Sequence, residues 1–335
     1  MVKQLKSTTK FASKREPAWR STEHKGSSES VSGRWLVKAL LGTLVAAVIA
    51  LYCTVCLLFY QGQWQFAFFP LKVAQNKSMP GAALLAAGSG LPITNIQFDY
   101  TEEGRAQLDG WWIAAAFNHS NPKSAALSQS ADPWPLVLLF CPNGRTSLPD
   151  NIAALQAFHA LGVSVFAFDY RGFGASQHVH PSQPKAYADG VAALHYLTAT
   201  RHIDARNIVV YGDGLGSAIA VHIAQQSPQI AALILAEPQS SLVQKVRREQ
   251  HIHMLPLWLI FQQRFDIAPI VPTLKMPKLF LVAPSDADST ALYERTSAPK
   301  RTAQIPASGE ASLYAQPAWL EVMHSFLHRV ATLSH

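Results

Sequence analysis

The sequence predicts an α/β fold with a mostly parallel, doubly wound sheet, preceded by one transmembrane helix near the N-terminus. The sheet is indicated by short, fully apolar segments, such as 136–140 and 163–168, that alternate with segments of helical length. Such alternation is typical of parallel strands covered by helices on both faces. The transmembrane helix is indicated by residues 39–60, an uncharged apolar run of 22 residues that is long enough to cross a bilayer.

Positive charge is concentrated in the first 38 residues. Of the net charge of +7, residues 1–38 carry nine Lys or Arg and three Glu, which is a net of +6. We expect this basic segment to be a disordered tail. Because the rest of the chain is nearly neutral, no nucleic-acid-binding face is expected. The charge before the span predicts a cytoplasmic N-terminus, with the later domain outside, in the periplasm if the cell is Gram-negative.

The span at 39–60 is expected to anchor the chain in the membrane as a single-pass protein. Trp35, Tyr60, Trp64 and the stretch Phe-Ala-Phe-Phe at 66–69 flank it in the manner of interfacial anchors. The span begins too far from the N-terminus, and is too long, for an ordinary cleaved signal peptide. The alternative is a buried core helix, but such helices rarely stay uncharged for this length. Residues 61–92 contain Gly and Pro and are predicted to form a juxtamembrane linker.

A folded domain is expected over residues 93–335. It opens with a hairpin formed by 93–100 and 111–117. The interval 240–272 interrupts the alternation of strands and helices, and we expect a cap insertion there, above the strand ends. The remaining predicted elements are strands at 136–140, 163–168, 208–211, 232–236 and 279–283, and helices at 153–161, 184–200 and 317–332.

The turn that follows the strand at 208–211 has a glycine at its central position. It reads Gly-Asp-Gly-Leu-Gly over residues 212–216, and a run of small residues that favours a helix begins at Ser217. Strand, G-x-S-x-G turn and helix form a nucleophile elbow, in which the central serine attacks a carbonyl carbon. Here the central residue is Gly214, so the reactive hydroxyl is missing, although the strand, the other two glycines and the helix of the motif are present.

Over about residues 65–333 the chain resembles the α/β-hydrolases, in particular their membrane-anchored, serine-aminopeptidase-like branch. Besides the elbow, three segments carry the resemblance: Leu-Asp-Gly-Trp-Trp at 108–112, Asp-Tyr-Arg-Gly-Phe-Gly-Ala-Ser at 169–176 and Ala-Glu-Pro-Gln-Ser-Ser-Leu at 236–242. The second of these follows the family's D-Y-R-G-x-G-x-S turn. The resemblance implies an α/β-hydrolase fold and a site built on a Ser–His–acid triad, with no cofactor and no metal.

The resemblance assigns the three triad positions to Gly214, Asp286 and Glu310. Asp286 follows the strand at 279–283, where the family has its acid. Glu310 lies in the turn before the last helix, where the family has its histidine, and no histidine lies between residues 253 and 324. The triad therefore lacks both its nucleophile and its base.

The oxyanion hole is also altered. The family's donor loop reads H-G-N-x-G, whereas residues 141–145 read Cys-Pro-Asn-Gly-Arg. Asn143 is retained, but Pro142 has no N–H to donate. The backbone amide of Leu215 is expected to remain as the other donor, because it follows the nucleophile position. Asn143 also has a purely structural interpretation, as a cap of the helix that follows.

Other groups are candidates to replace the missing nucleophile. A carboxylate nucleophile is conceivable at Asp213, Asp286 or Glu310, although Asp286 has the alternative role of binding neighbouring backbone. Ser217 is expected to face away from the line of attack. The pairs His251/His253 and His324/His328 lack a third metal ligand, so a structural role is favoured for them. A structural role is also favoured for the turn residues Asp169 and Arg171. The cysteines 53, 56 and 141 form no disulfide framework.

The favoured interpretation is a membrane-anchored pseudo-hydrolase, catalytically inactive, that binds an unidentified protein or small molecule in its former active-site cleft. It rests on coordinated changes at Gly214, Glu310 and Pro142, which lie in three separate segments. One alternative is an active hydrolase of ester, thioester or peptide bonds that uses a non-standard catalytic group. Another is a structural subunit of an envelope complex, in which the span supplies assembly contacts.

Overall fold

The computed structural model describes residues 32–68, 88–100, 106–115, 136–249, 254–284, 286–305 and 313–333. The chain divides into two compact units between residues 53 and 54. Helix α1, Gly33–Gly62, contains the predicted span at 39–60 and has no buried residue. Its 30 residues make it long and apolar enough to cross a membrane, since a helix rises about 1.5 Å per residue.

The second unit is built on an eight-stranded sheet in the order β1-β2-β4-β3-β5-β6-β7-β8. The pairs β1–β2 and β2–β4 are antiparallel, and every later pair is parallel. The strands are β1 (Ile93–Tyr100), β2 (Ala106–Ile113), β3 (Val137–Cys141), β4 (Ser164–Phe168), β5 (Ile208–Asp213), β6 (Ala232–Ala236), β7 (Lys278–Val282) and β8 (Lys300–Gln304).

Helices connect the parallel strands, as crossover connections require. The α-helices after α1 are α2 (Trp64–Ala67), α3 (Ile152–Ala160), α4 (Gln183–His195), α5 (Gly216–Gln226), α6 (Leu242–Glu249), α7 (Leu257–Ile260), α8 (Ala287–Arg295) and α9 (Pro317–Leu333). Between β6 and β7 the chain makes a long excursion that contains the short helices α6 and α7. The interval 240–272 lies within this excursion, and we call that interval the cap; its position above the strand ends stays a prediction.

The core is divided by the sheet into two apolar layers. Along β3, Leu139 and Cys141 face the layer formed with α4, α5 and the cap, whereas Leu138 and Phe140 face the layer formed with α3 and α9. Because successive side chains of a strand point to opposite faces, a strand buried on both faces must be apolar throughout. The predicted α/β-hydrolase fold with a mostly parallel sheet is confirmed.

Strand β8 and helix α8 were not predicted from the sequence. Strand β8 has the sequence Lys-Arg-Thr-Ala-Gln and lies at the sheet edge, half-buried or exposed, so it lacks the apolar run that marks the central strands. Helix α8 follows Asp286, whose carboxylate caps its first turn. The second hairpin strand also differs: it begins at Ala106 and ends at Ile113, several residues before the predicted 111–117.

The segment just after α1 packs into the core of the second unit. Gln63 is buried, and its Oε1 accepts hydrogen bonds from the backbone N–H groups of Gln262 and Gln263 in the cap. Phe68 is also fully buried, with its ring 6.1 Å from that of Phe173 and 5.7 Å from that of Phe265. These residues begin the segment 61–92 that was predicted to be a linker, so its first part contributes to the packed domain.

We predict that Phe68→Ala lowers the free energy of unfolding by about 3–5 kcal/mol, because it empties a fully buried aromatic site. Denaturant titration of the full chain in detergent measures this. Leu333→Ala is the control: its side chain is exposed, so a change within about 0.5 kcal/mol is expected. Equal, small effects of both substitutions would show that the segment after α1 is not part of the folded unit.

Candidate active site

The elbow is a tight turn between β5 and α5, as the sequence predicts. Gly214 has a φ of +52°, in the left-handed region that glycine adopts without a side-chain penalty. Its N–H donates to the carbonyl oxygen of Ala236 at 2.9 Å, and its own carbonyl accepts from the N–H of Ser217 at 3.1 Å. These bonds fix the turn between the end of β6 and the start of α5.

The first turn of α5 lies directly against the loop after β3, which we call the oxyanion loop, residues 141–145. A Cβ added to Gly216 would lie 2.6 Å from the carbonyl oxygen of Pro142 and closer still to that of Cys141. Both neighbours are backbone atoms and cannot turn aside as a side chain would. Glycine at 216 is therefore required for the elbow and the oxyanion loop to approach each other.

The side chain of Asn143 lies over the central position of the elbow. A Cβ added to Gly214 would be 2.5 Å from Asn143 Nδ2 and 3.1 Å from its Cγ. A serine at 214 would begin its side chain at that point. The Asn143 amide thus occupies volume that the nucleophile would need, and the two predicted site residues are brought into contact.

The oxyanion loop is held by several hydrogen bonds. The phenol of buried Tyr170 donates to the carbonyl oxygen of Pro142 at 3.0 Å, and Thr146 donates its N–H to the carbonyl oxygen of Asn143 at 3.1 Å. The short 3-10 helix that follows is capped by Ser147 in a capping box with Asp150. The interpretation of Asn143 as that helix's cap is therefore wrong.

Leu215 is buried beneath the segment that follows α1. A Cβ added to Gly144 would meet the Leu215 side chain, the carbonyl oxygen of Ala67 at 3.0 Å and a ring carbon of Phe68 at 3.2 Å. Residues 67 and 68 therefore form a wall against the oxyanion loop and Leu215. This wall is a feature that the sequence analysis missed, because the run of aromatic residues near 66–69 was interpreted as a membrane-interface anchor.

Asp286 lies beyond β7 and caps α8. Its Oδ1 accepts from the N–H groups of Asp288 at 3.0 Å and Ser289 at 3.2 Å, and the Ser289 hydroxyl is 2.5 Å from its Oδ2. Both carboxylate oxygens therefore have local partners. Because β7 is two strands from β5, and strands are about 4.8 Å apart, the ends of these strands are about 10 Å apart at the same edge of the sheet.

The position expected for the base lies between β8 and α9. Glu310, the predicted residue, is outside the described residues. The connection from Ile305 to Gln316 contains no histidine in the sequence, whatever its conformation. The structure thus brings Gly214, Asn143 and Leu215 together and puts Asp286 beyond the same sheet edge, while Glu310 stays a prediction.

The nearby hydroxyl and thiol groups are engaged in the core. Ser217 is buried, and its Oγ donates to the carbonyl oxygens of Gly212 at 2.9 Å and Ala236 at 3.3 Å, so the backbone around the turn engages its hydroxyl. Cys141 is fully buried, and this burial raises the pKa of its thiol. The thiolate, which is the nucleophilic form, is therefore disfavoured. Asp213, the last residue of β5, is half-buried beside the turn.

Asp169 and Arg171 stabilise the turn after β4, in agreement with their structural interpretation. The carboxylate of Asp169 accepts from the N–H of Leu148 at 2.9 Å, and burial raises its pKa well above the usual range. Arg171 Nε is 2.6 Å from Asp189 Oδ1. Burial raises the pKa of Asp189 to about 6, although the Arg171 charge opposes this shift.

Within the described ranges, no three His, Cys, Asp or Glu side chains converge as a metal site would require. His324 and His328 lie one turn apart on α9, with ring centroids 6.2 Å apart. Two ligands fall short of the three or four that protein zinc sites use. The other pair, His251 and His253, lies outside the described residues.

A family model for serine aminopeptidase S33 matches residues 151–324, which is more than half of the chain. An uncharacterized protein of Mycobacterium tuberculosis is 28% identical over 297 residues, covering 86% of this chain and 96% of the relative. An alpha/beta hydrolase domain-containing protein of Caenorhabditis elegans is 28% identical over 180 residues, which is 52% of each chain.

Solved structures are similar in fold. An esterase of Pyrococcus furiosus aligns with a TM-score of 0.57 and 17% identity, over 73% of this chain and 94% of the esterase. An alpha-beta hydrolase of Vibrio vulnificus aligns with a TM-score of 0.54 and 16% identity, over 82% of this chain and 90% of that protein. At this identity the likeness supports the fold alone.

We predict that Gly216→Ala costs about 3 kcal/mol or more of unfolding free energy, because its Cβ would overlap backbone carbonyls. Gly162→Ala is the matched control. Gly162 has a φ of +79° but nothing within 4 Å of an added Cβ, so it should cost only about 1 kcal/mol of backbone strain. Denaturant titration measures both values. A smaller cost at 216 than at 162 would contradict the close contact between α5 and the oxyanion loop.

Proposed function

The chain belongs to the serine aminopeptidase S33 family of α/β-hydrolase proteins, and we propose that it is a membrane-anchored member without acyl-transfer activity. In this proposal the protein acts by binding a partner through the region of the former active site. The observation that carries the proposal is at the elbow. Gly214 provides no nucleophile, and the Asn143 amide lies where the side chain of a nucleophile would begin.

Two further features support inactivity. A serine hydrolase needs a base to accept the nucleophile's proton, and the connection between β8 and α9 contains no histidine. The acid position, Asp286, is engaged as the cap of α8. Because members of a catalytic triad act as a unit, the loss of nucleophile and base removes the main part of the rate enhancement.

The surroundings of the elbow favour a macromolecular partner over a small ligand at Gly214. Gly214 and Leu215 are buried, and the wall formed by Ala67 and Phe68 lies against Gly144. A small molecule would have to displace these groups to reach the elbow. A partner protein can instead bind the outer surface of the same region without opening it.

An active hydrolase with a carboxylate nucleophile is less well supported. Of the three candidates, Asp286 holds backbone N–H groups with its carboxylate. Asp213 ends β5 and precedes the central position of the turn, so it does not occupy the place that presents a nucleophile. No contact of the described residues favours this mechanism over the inactive one.

Membrane anchoring is the second part of the proposal. Helix α1 supports it by its length and its apolar, unburied surface. The net charge of +6 on residues 1–38 favours a cytoplasmic N-terminus, which puts the hydrolase domain on the other side of the membrane. The proposed organisation is a basic tail at 1–38, a span at 39–60, a juxtamembrane segment at 61–92 and a hydrolase domain at 93–335 with its cap at 240–272.

We predict that Gly214→Ser restores a hydroxyl without restoring activity. Its unfolding free energy should fall by about 2 kcal/mol, because serine is strained at positive φ and its Cβ collides with Asn143. The double variant Gly214→Ser/Asn143→Ala should recover part of this loss, relative to Asn143→Ala alone. Denaturant titration gives the stabilities, and p-nitrophenyl ester turnover by the full chain in detergent gives the activity.

Turnover should stay at the background rate in the wild type and in both variants. Turnover by the wild type that Asp213→Asn abolishes would contradict the proposal and support a carboxylate nucleophile. If Gly214→Ser costs as much stability in the Asn143→Ala background as in the wild type, the contact between Asn143 and the elbow would be contradicted.

A further inference from the structure

Three exposed apolar side chains are grouped in the cap. They are Met254, Trp258 and Leu259, which are 85%, 69% and 64% exposed. In the described part of the chain beyond α1, the remaining exposed large apolar side chain is Leu333, at the end of α9. Single exposed apolar residues are common on soluble proteins, whereas a group of them indicates a contact surface.

The cap is fixed to the last turn of α1. The ring of Phe261, which is buried, is 5.9 Å from the ring of Phe59 and 6.5 Å from that of Phe66. The buried Gln63 strengthens the attachment, since its Oε1 accepts from the N–H of Gln263 at 3.3 Å. Phe59 belongs to the segment 39–60, so a residue of the cap touches the end of the span itself.

We propose that Met254, Trp258 and Leu259 insert into the interface of the bilayer that anchors the chain, on the side of the hydrolase domain. The inference rests on the membrane anchoring proposed above. If 39–60 spans the bilayer, Phe59 lies in its last turn, at the level of the interface, and Phe261 lies there with it. Trp258 and Leu259 lie in α7, and Phe261 directly follows the end of that helix, so these exposed residues are within three positions of Phe261 in the chain.

The chemistry of the patch fits a phospholipid surface. Tryptophan is enriched at membrane interfaces, where its ring is apolar and its N–H is polar. The exposed Arg264 donates from Nη2 to the carbonyl oxygen of Trp258 at 2.8 Å, which holds a cation beside α7. Helix α6 adds the exposed Arg247 and Arg248, the latter 3.4 Å from Asp288. Asp266, two residues after Arg264, is also exposed and carries a negative charge that opposes these cations.

A second copy of the chain fits the patch less well. A stable protein interface buries about 800 Å² on each partner, and three side chains expose much less than that. A bilayer needs no such area, because the span already holds the cap beside it and makes the second contact intramolecular. Phospholipid is therefore the occupant that the size and position of the patch favour.

The test uses the full chain in nanodiscs of phosphatidylcholine and phosphatidylglycerol, with one nitroxide label on each variant. Two variants carry Cys53→Ser and Cys56→Ser, and each has one new cysteine for the label. The first is Leu259→Cys. The second is the control Leu333→Cys, at a position where the native leucine is 70% exposed, similar to Leu259. A third sample keeps Cys53 as a probe of the span, with Cys56→Ser. Cys141 is fully buried and stays in place. Spin relaxation by oxygen reports lipid, and relaxation by a water-soluble nickel complex reports solvent.

We expect the ratio of oxygen to nickel collisions at residue 259 to exceed that at residue 333 several-fold and to approach the ratio at residue 53. A water-like ratio at 259 with a lipid-like ratio at 53 would overturn the cap inference and leave the anchoring intact. Water-like ratios at both 53 and 259 would overturn the anchoring as well. A label at 259 that neither reagent reaches would indicate a protein partner and would also overturn the inference.

Discussion

The approach of the elbow to the oxyanion loop is the contact on which the rest of the site depends. Helix α5 begins so close to the carbonyl groups of Cys141 and Pro142 that residue 216 has no room for a Cβ atom. The turn at Gly214 is fixed to Ala236 in the neighbouring strand. These backbone contacts keep the elbow in the shape that would present a nucleophile. The shape is therefore set by glycines and backbone hydrogen bonds, and it persists without the serine.

The elbow therefore keeps its backbone shape, although Gly214 stands where a serine would react. Asn143 lies over the elbow, and Tyr170 holds the loop on which Asn143 lies. Residues 67 and 68 close one side, and they follow the apolar helix α1 by only a few residues.

The fold could be predicted from the sequence because its central strands are apolar on both faces and its motifs are local. The turn at 212–216 and the strand at 232–236 are examples, since each depends on residues adjacent in the chain. Strand β8 could not be predicted, because an edge strand with polar residues carries no apolar signal. The wall at Ala67 and Phe68 and the position of the Asn143 amide are contacts between distant segments. The sequence contains the residues that make these contacts, but it does not indicate which distant segments pack together.

Labelling with a fluorophosphonate probe tests the absence of an activated serine nucleophile most directly. The reagent forms a covalent bond with serine nucleophiles that a base activates, and it requires no knowledge of the natural substrate. Intact-mass measurement of the full chain in detergent, beside an active serine hydrolase as positive control, should show no adduct on this protein. A stoichiometric adduct on the folded wild-type chain, lost on denaturation before labelling, would contradict the account.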